Sequence, residues 1–218
     1  ENGLMSRFFR RSCACEAQLL QAVRVHSQRA ATTEVRRISV CFTGHRHLST
    51  AECAMLTPRL QSLLCALYKR GYRRFLCGGA LGFDTLAAEC VIRLQAQHED
   101  VCLVMALPCS TQAQRWRPED VRRYERILYA ADETHVLAPN YYNGCMMVRN
   151  RFMVDRASFC VCYLNQMKGG TMSTVAYALE QHVPVLNAAM EDACAAYVRE
   201  SAVVTASYPA DPDDFPHS

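Results

Sequence analysis

No CxxC pair occurs among the thirteen cysteines of this chain, which removes the spacing on which zinc knuckles and redox-active dithiols are built. Cys13 and Cys15, like Cys160 and Cys162, are separated by a single residue, and no metal site is expected from them. No uninterrupted apolar stretch approaches the roughly 20 residues of a membrane span, so a membrane partner is not expected either. A concentrated Lys/Arg stripe is also missing. The 24 basic residues stand against 21 acidic ones, a net charge of +3, and nucleic acid is not expected as a partner on charge. The sequence shows no internal repeat and no GxGxxG fingerprint.

What is present reads as one main domain. At 218 residues, 50% hydrophobic and 21% charged, the chain can bury a single sizeable core. Cys41, Cys77, Cys102, Cys160 and Cys162 lie inside apolar runs, and Cys65 and Cys90 fall within helical patterns. Free cysteine in such places behaves as a small hydrophobe, so the thiols are expected to be buried and reduced, in a cytoplasmic protein. Residues 1–36 differ in character, with Arg7, Arg10, Arg11, Arg24, Arg29 and Arg36 against Glu1, Glu16 and Glu34. They read as a poorly ordered extension, with a transit peptide or an anion-binding arm as the alternatives. The domain is expected over 37–200, followed by a tail over 201–218 that ends in the proline- and aspartate-rich, disorder-prone "YPADPDDFPHS".

From Arg37 the chain alternates two periods. "RISVCFTG", "RRFLC", "VCLVMAL", "THVLA", "FCVCYL" and "VPVLNA" are short apolar, β-branched runs of the kind that form buried strands. Between them lie helical patterns. In the first, Thr57 and Pro58 are the expected N-cap and first-turn residue, and Leu60, Leu63, Leu64 and Leu67 mark one face. Leu86, Cys90, Val91 and Leu94 mark the next, and Val121, Tyr124, Leu128 and Ala131 the third; "CMMVRNRFMVDRAS" and "GGTMSTVAYALEQH" supply two more. This rhythm predicts right-handed βαβ crossovers and an α/β fold: a Rossmann-like, doubly wound, mostly parallel sheet with helices on both faces.

In such a sheet, ligands bind beyond the carboxyl ends of the strands, and that is where the glycines cluster. Gly78, Gly79 and Gly82 of "GGALGFDT" and Gly169, Gly170 and Thr171 of "NQMKGGTMST" both lead into helices. Glycine permits positive φ and close backbone approach, while a helix N-terminus offers unpaired N–H groups; together they read as an anion seat, and a simple turn is the plainer alternative. Asp84 is either an N-cap or a partner for a ribose hydroxyl. His45 and Arg46, just past Gly44, are either solvated loop residues or phosphate and ribose contacts, and Arg149 and Asn150 share one side of a helix. Thr171 adds a hydroxyl to its helix's first turn, so the phosphate is assigned to the second loop, with Gly170 at φ > 0. The sugar or base is assigned to the first.

"CFTGHR", "GGALGFDTLAAE", "RNRFMVD" and "GGTMSTVAYA", in that order, resemble the YpsA-like branch of the SLOG superfamily, which includes the LOG phosphoribohydrolases and the DprA DNA-processing proteins. The resemblance runs from about Ile38 to Asn187 and implies a nucleotide or ADP-ribose-like or NAD-like ligand at the strand ends. The implied site is Gly44, His45, Arg46, Gly78, Gly79, Gly82, Asp84, Arg149, Asn150, Gly169, Gly170, Thr171 and Thr174. Cleaving members of the superfamily carry PGGxGTxxE. Here Arg149 keeps the place of their helical arginine, but Met172, Ser173, Thr174 and Val175 stand where the catalytic glutamate would be sought. A neutral hydroxyl cannot replace a carboxylate in stabilising an oxocarbenium-like state. The expectation is therefore a binding or sensing protein without a defined cofactor. Nucleotide N-glycosidase activity through Asp84, Glu89 or Asp155 is the alternative, single-stranded DNA binding a second, and a homodimer is compatible with the resemblance.

Overall fold

The computed structural model of the chain describes residues 32–166 and 168–207, with side chains through 201. The expectations for the arginine-rich arm, for Cys13 and Cys15, and for the tail from Tyr208 fall outside the described residues, apart from a helical stretch over 32–37. The chain divides into Glu1–Arg37 and Ile38–Ser218, and the second unit carries the sheet.

Its elements alternate: β1 (Ser39–Gly44), α1 (Thr50–Lys69), β2 (Arg74–Cys77), α2 (Phe83–Gln95), β3 (Cys102–Leu107), α3 (Pro118–Ala130), β4 (Glu133–Val136), α4 (Cys145–Asp155), β5 (Phe159–Tyr163), α5 (Gly169–Glu180), β6 (Val185–Asn187) and α6 (Glu191–Ser207). The strands form one six-stranded sheet in the order β4-β3-β2-β1-β5-β6, and every pair is parallel. From β1 the chain winds outward to β4, then returns to lay β5 on the other side of β1. That reversal makes the gap between the ends of β1 and β5, where Gly44 lies opposite Tyr163, the switch point at which such sheets bind ligands.

Alternation along the strands sorts the core into two layers. Val40 and Phe42 face one way, with Leu60, Leu63, Leu67, Phe75, Val91 and Leu103 under α1, α2, α3 and α6. Cys41 and Cys160, opposite one another in register, face the other way with Leu76, Val104, Met153, Val154 and Ala178 under α4 and α5. Both faces of the central strands are thus dry, which is why they read as unbroken apolar runs.

Four expectations need correction. Helix α1 begins at Thr50, not at Thr57-Pro58. Ser49 is its N-cap, with the Glu52 N–H donating to the serine hydroxyl (3.2 Å) and Ser49 N–H donating to the Glu52 carboxylate (2.8 Å). This reciprocal box satisfies two end donors, and Pro58 is tolerated on an exposed face inside the helix. Thr57 instead donates its hydroxyl to the Cys53 carbonyl (2.7 Å). Along α3, Tyr124 is buried and Leu128 and Ala131 pack half-buried on the core as expected, but the second buried residue is Ile127, and Val121 does not join the core cluster. Cys65 is exposed, while Cys41, Cys77, Cys90, Cys109, Cys145, Cys160, Cys162 and Cys194 are buried; burial pushes the Cys90 thiol to about 11 and the Cys162 thiol to about 12. Finally, the boundary at 200 falls inside α6, which lies on α1 and is tied there by Arg70 donating to Ser201 (2.6 Å).

Candidate functional site

At the switch point lies a cleft of about 210 Å³. Thr43, Gly44, His45 and Arg46 enter it from the end of β1, and Ala80 and Asp84 from the loop and first turn of α2. Met146, Arg149 and Asn150 of α4 and the run Lys168 to Thr171 at the start of α5 complete it. Most residues expected at the strand ends are therefore brought together. Gly78, Gly79, Gly82 and Thr174 do not line the cleft, and the structure gives them another task.

Gly78 leaves room for Arg149. A Cβ on Gly78 would overlap the Arg149 guanidinium and lie 2.6 Å from an Asp84 carboxylate oxygen. Gly82, at φ 77°, would bring a Cβ against the carbonyls of His45 and Arg46, and a Cβ on Gly44 would meet Phe83. The glycines of "GGALGFDT" thus let protein approach protein, not ligand. Gly79, at φ 64°, is covered by Met105, Tyr124 and Leu107, and the Gln112 amide donates to its carbonyl. Nothing in the residue pattern singled out Gln112, whose partner lies thirty-three positions away in the chain.

Arg149 is only 4% exposed, yet its partners are few. One terminal nitrogen stands 3.5 Å from the Asp84 carboxylate, and among the described residues its Nε–H has no partner. Burial lowers its pKa, partly countered by Asp84. Asp84 is 4% exposed as well, and burial raises its pKa against the opposing pull of Arg149 and of the Ala80 N–H. It does not occupy the N-cap, which belongs to Gly82; it sits in the first turn of α2.

Helix α5 presents its N-terminus to this pair. Lys168 is the N-cap but forms no side-chain capping bond; the first turn of a helix carries N–H groups without intrahelical partners, and Lys168 to Thr171 line the cleft there. Positive φ belongs to Gly169 (78°), not to Gly170, whose Cβ position would meet no atom within 4 Å. Asn150 donates to the Thr174 hydroxyl (2.7 Å), which donates to the Gly170 carbonyl (2.8 Å), tying α4 to α5. Thr174, in the region where a catalytic glutamate was sought, is thereby engaged in structure.

Two carboxylates considered as substitutes lie elsewhere: Glu89 pairs with Arg123 (2.6 Å) and Asp155 accepts from the Tyr177 hydroxyl (2.8 Å). Among the described residues, Asp84 is the sole carboxylate lining the cleft. Behind His45 lies a network that motif reading missed. The Asn165 N–H donates to His45 Nε2 (3.3 Å), and Tyr163 (2.6 Å) and the Asn165 amide (3.1 Å) donate to Glu52. The bond from Tyr163, followed by those from the Ser49 N–H and hydroxyl, holds the Glu52 pKa down to about 2. Among the described residues, no three His, Cys, Asp or Glu side chains gather as a metal site, and no helix is long and apolar enough to cross a membrane.

Residues 40–188 match the model of the YspA SLOG family. UPF0398 protein BH1768 of Halalkalibacterium halodurans is 30% identical over 112 residues, covering 50% of this chain and 59% of that protein. The SPbeta prophage-derived protein YoqJ of Bacillus subtilis is 28% identical over 127 residues, covering 53% and 74%. The match to the first relative thus spans less than two thirds of that protein's length. Among solved structures, DNA processing protein A of Helicobacter pylori gives a TM-score of 0.53 at 16% identity, covering 82% of this chain and 85% of that one. Its Streptococcus pneumoniae counterpart gives 0.52 at 16%, covering 80% and 63%. Likeness at this identity is likeness of fold.

Proposed function

The chain belongs to the YspA SLOG family, and from that premise we propose that it binds a phosphorylated, nucleotide-derived ligand of the ADP-ribose or NAD type as a sensor or regulatory protein. The observation that carries this reading is Arg149, a guanidinium 4% exposed at the floor of a cleft, with an Nε–H that nothing accepts. A buried cation so poorly partnered is stabilised by an incoming anion. In this reading Arg149, the α5 N-terminus and the Thr171 hydroxyl hold the phosphate, Lys168 and Arg46 add positive charge at the mouth, and Asp84 accepts from a ribose hydroxyl.

The competing reading is hydrolysis of a nucleotide N-glycosidic bond with Asp84 as acid. In its favour, Asp84 lines the cleft and its pKa is raised by burial, the direction a general acid needs. Against it, among the described residues no second carboxylate lines the cleft to activate a water. The H. pylori neighbour is a protein with a single-stranded DNA binding mode, so an oligonucleotide belongs among the ligands tested despite the balanced charge of this chain.

The test is a thermal-shift panel of inorganic phosphate, ribose 5-phosphate, AMP, ADP-ribose, NAD and a thymidine oligonucleotide. A ligand at 100 times its Kd adds about 2.7 kcal/mol of stability. Ribose release is followed on every hit. Binding of phosphorylated nucleosides without release, abolished in Arg149→Met, supports the sensor; release supports the hydrolase. Full binding by folded Arg149→Met removes the cleft assignment.

A further inference from the structure

The loop between β4 and α4 is fastened at both ends and bare between them. At its start the Ser110 N–H donates to the Ala138 carbonyl (3.1 Å) and the Ser110 hydroxyl to that of Pro139. At its end the Cys145 N–H donates to the Tyr142 carbonyl (3.1 Å), and Gly144 takes φ 94° as the N-cap of α4, a conformation glycine adopts without steric penalty. Between the anchors Tyr141 is 64% exposed and Tyr142 46%, and among the described residues neither ring stacks on another aromatic. Tyr142 is four positions before Met146, which lines the cleft, and seven before Arg149.

We infer that Tyr141 and Tyr142 form a stacking platform for the base of a nucleotide whose phosphate occupies the neighbouring cleft; this rests on the cleft being an anion site. Cysteine and aliphatic side chains fill the core beneath α4, so these two rings serve no packing there. A tyrosine face meets any base and orders only two side-chain torsions on binding, and the fastened loop leaves little backbone freedom to be lost. By the helix rise, Arg149 lies about 6 Å along α4 from Cys145, which leaves space for a sugar between guanidinium and platform. Two neighbouring rings on one loop suit a single base. A strand calls for aromatic residues spaced along a groove, and no such succession extends from this loop.

The experiment titrates ribose 5-phosphate, AMP and a thymidine oligonucleotide into the full chain, into Tyr141→Ala/Tyr142→Ala, and into the corresponding double phenylalanine variant. The wild type should bind AMP about 5- to 150-fold more tightly than ribose 5-phosphate. The alanine variant should lose that advantage with its ribose 5-phosphate affinity unchanged, and phenylalanine should restore it. Equal AMP affinity in wild type and alanine variant, with ribose 5-phosphate still bound, overturns the platform and leaves the cleft standing. Failure of the wild type to bind either sugar phosphate overturns the cleft and the platform with it. An oligonucleotide that binds more tightly than AMP and alone responds to the substitutions overturns the single-base form of the inference.

Discussion

Gly78→Ala separates the two roles that glycine could have at the first loop. The added Cβ would fall inside the Arg149 guanidinium and 2.6 Å from Asp84 Oδ2, so one group must leave a place that is almost wholly buried. Overpacking of this kind destabilises by about 1–3 kcal/mol, which for a chain of this size lowers Tm by about 2–12 °C. Displacing the guanidinium also removes charge-assisted hydrogen bonds to a bound phosphate, about 1.5–3 kcal/mol or about 10- to 150-fold in Kd. Gly79→Ala is the control. It strains a residue at φ 64° and crowds Met105 and Tyr124 at 3.0 and 3.1 Å, without reaching Arg149, so it should lower Tm while leaving the affinity of the folded protein near wild type. Thermal melts and calorimetric titration with ADP-ribose read both effects. A folded Gly78→Ala protein with wild-type affinity would refute the placement of Arg149 as the anion's partner.

Gly170→Val should leave the fold intact, because its Cβ position is open and its φ ordinary, yet reduce phosphate affinity at least about tenfold by obstructing the N-terminal N–H groups of α5; unchanged affinity in the folded variant removes that helix end from the site. Asp84 predicts a pH dependence. Burial raises its folded pKa, so its stability contribution is fully present below the unfolded value near about 3.9 and is lost as pH rises through the folded value. Its ionised form also repels a neighbouring phosphate, so inorganic phosphate should bind more tightly as pH falls through that raised value, and Asp84→Asn should flatten the profile. Superimposable profiles for the two proteins contradict the carboxylate's place in the cleft. Thiol labelling should modify Cys65 rapidly in the native protein and the eight buried cysteines only after denaturation; rapid native labelling of Cys41 or Cys160 would contradict the core beneath α4 and α5.

The central strands were legible because β1, β2, β3 and β5 are largely dry runs with turn residues at their ends, whereas the strand order β4-β3-β2-β1-β5-β6 was not read from the sequence. The start of α1 was not, because Thr57-Pro58 is a conspicuous local signal, whereas the operative one is the quieter Ser49-x-x-Glu52. Helix α6 escaped because alanines and a few half-buried side chains dilute its apolar stripe; among its side chains described, through 201, Cys194 and Ser201 are the buried ones. At the site, the residue types were readable but their relations were not. The pattern shows that Gly78 is a glycine and Arg149 an arginine, but not that a helix folded from far along the chain lays one across the other. Glycine's freedom was accordingly assigned to the ligand when it belongs to the arginine, and positive φ to Gly170 when Gly169 carries it.

The arrangement of Arg149 and Asp84 bears on whether such a site senses or cleaves. Burial disfavours the charge on both, and at 3.5 Å their contact is too long to be a strong hydrogen bond. In the proposed reading, a ligand carrying phosphate beside hydroxyl donors complements this pair: the anion would give the guanidinium what Asp84 supplies poorly, and the hydroxyl would give Asp84 a donor. Each of these interactions is made with the ground state of a sugar phosphate. Interactions equally strong before and during reaction tighten binding without accelerating it, and acceleration of glycosidic cleavage requires a carboxylate free to act on the leaving group or on water. In the proposed reading Asp84 is engaged by a ligand hydroxyl, and Thr174 is bonded between Asn150 and Gly170, so the groups nearest the sugar are ones that would recognise it. Under the proposed function, occupancy is expected to make the protein more stable, and that is the change a sensor would transmit.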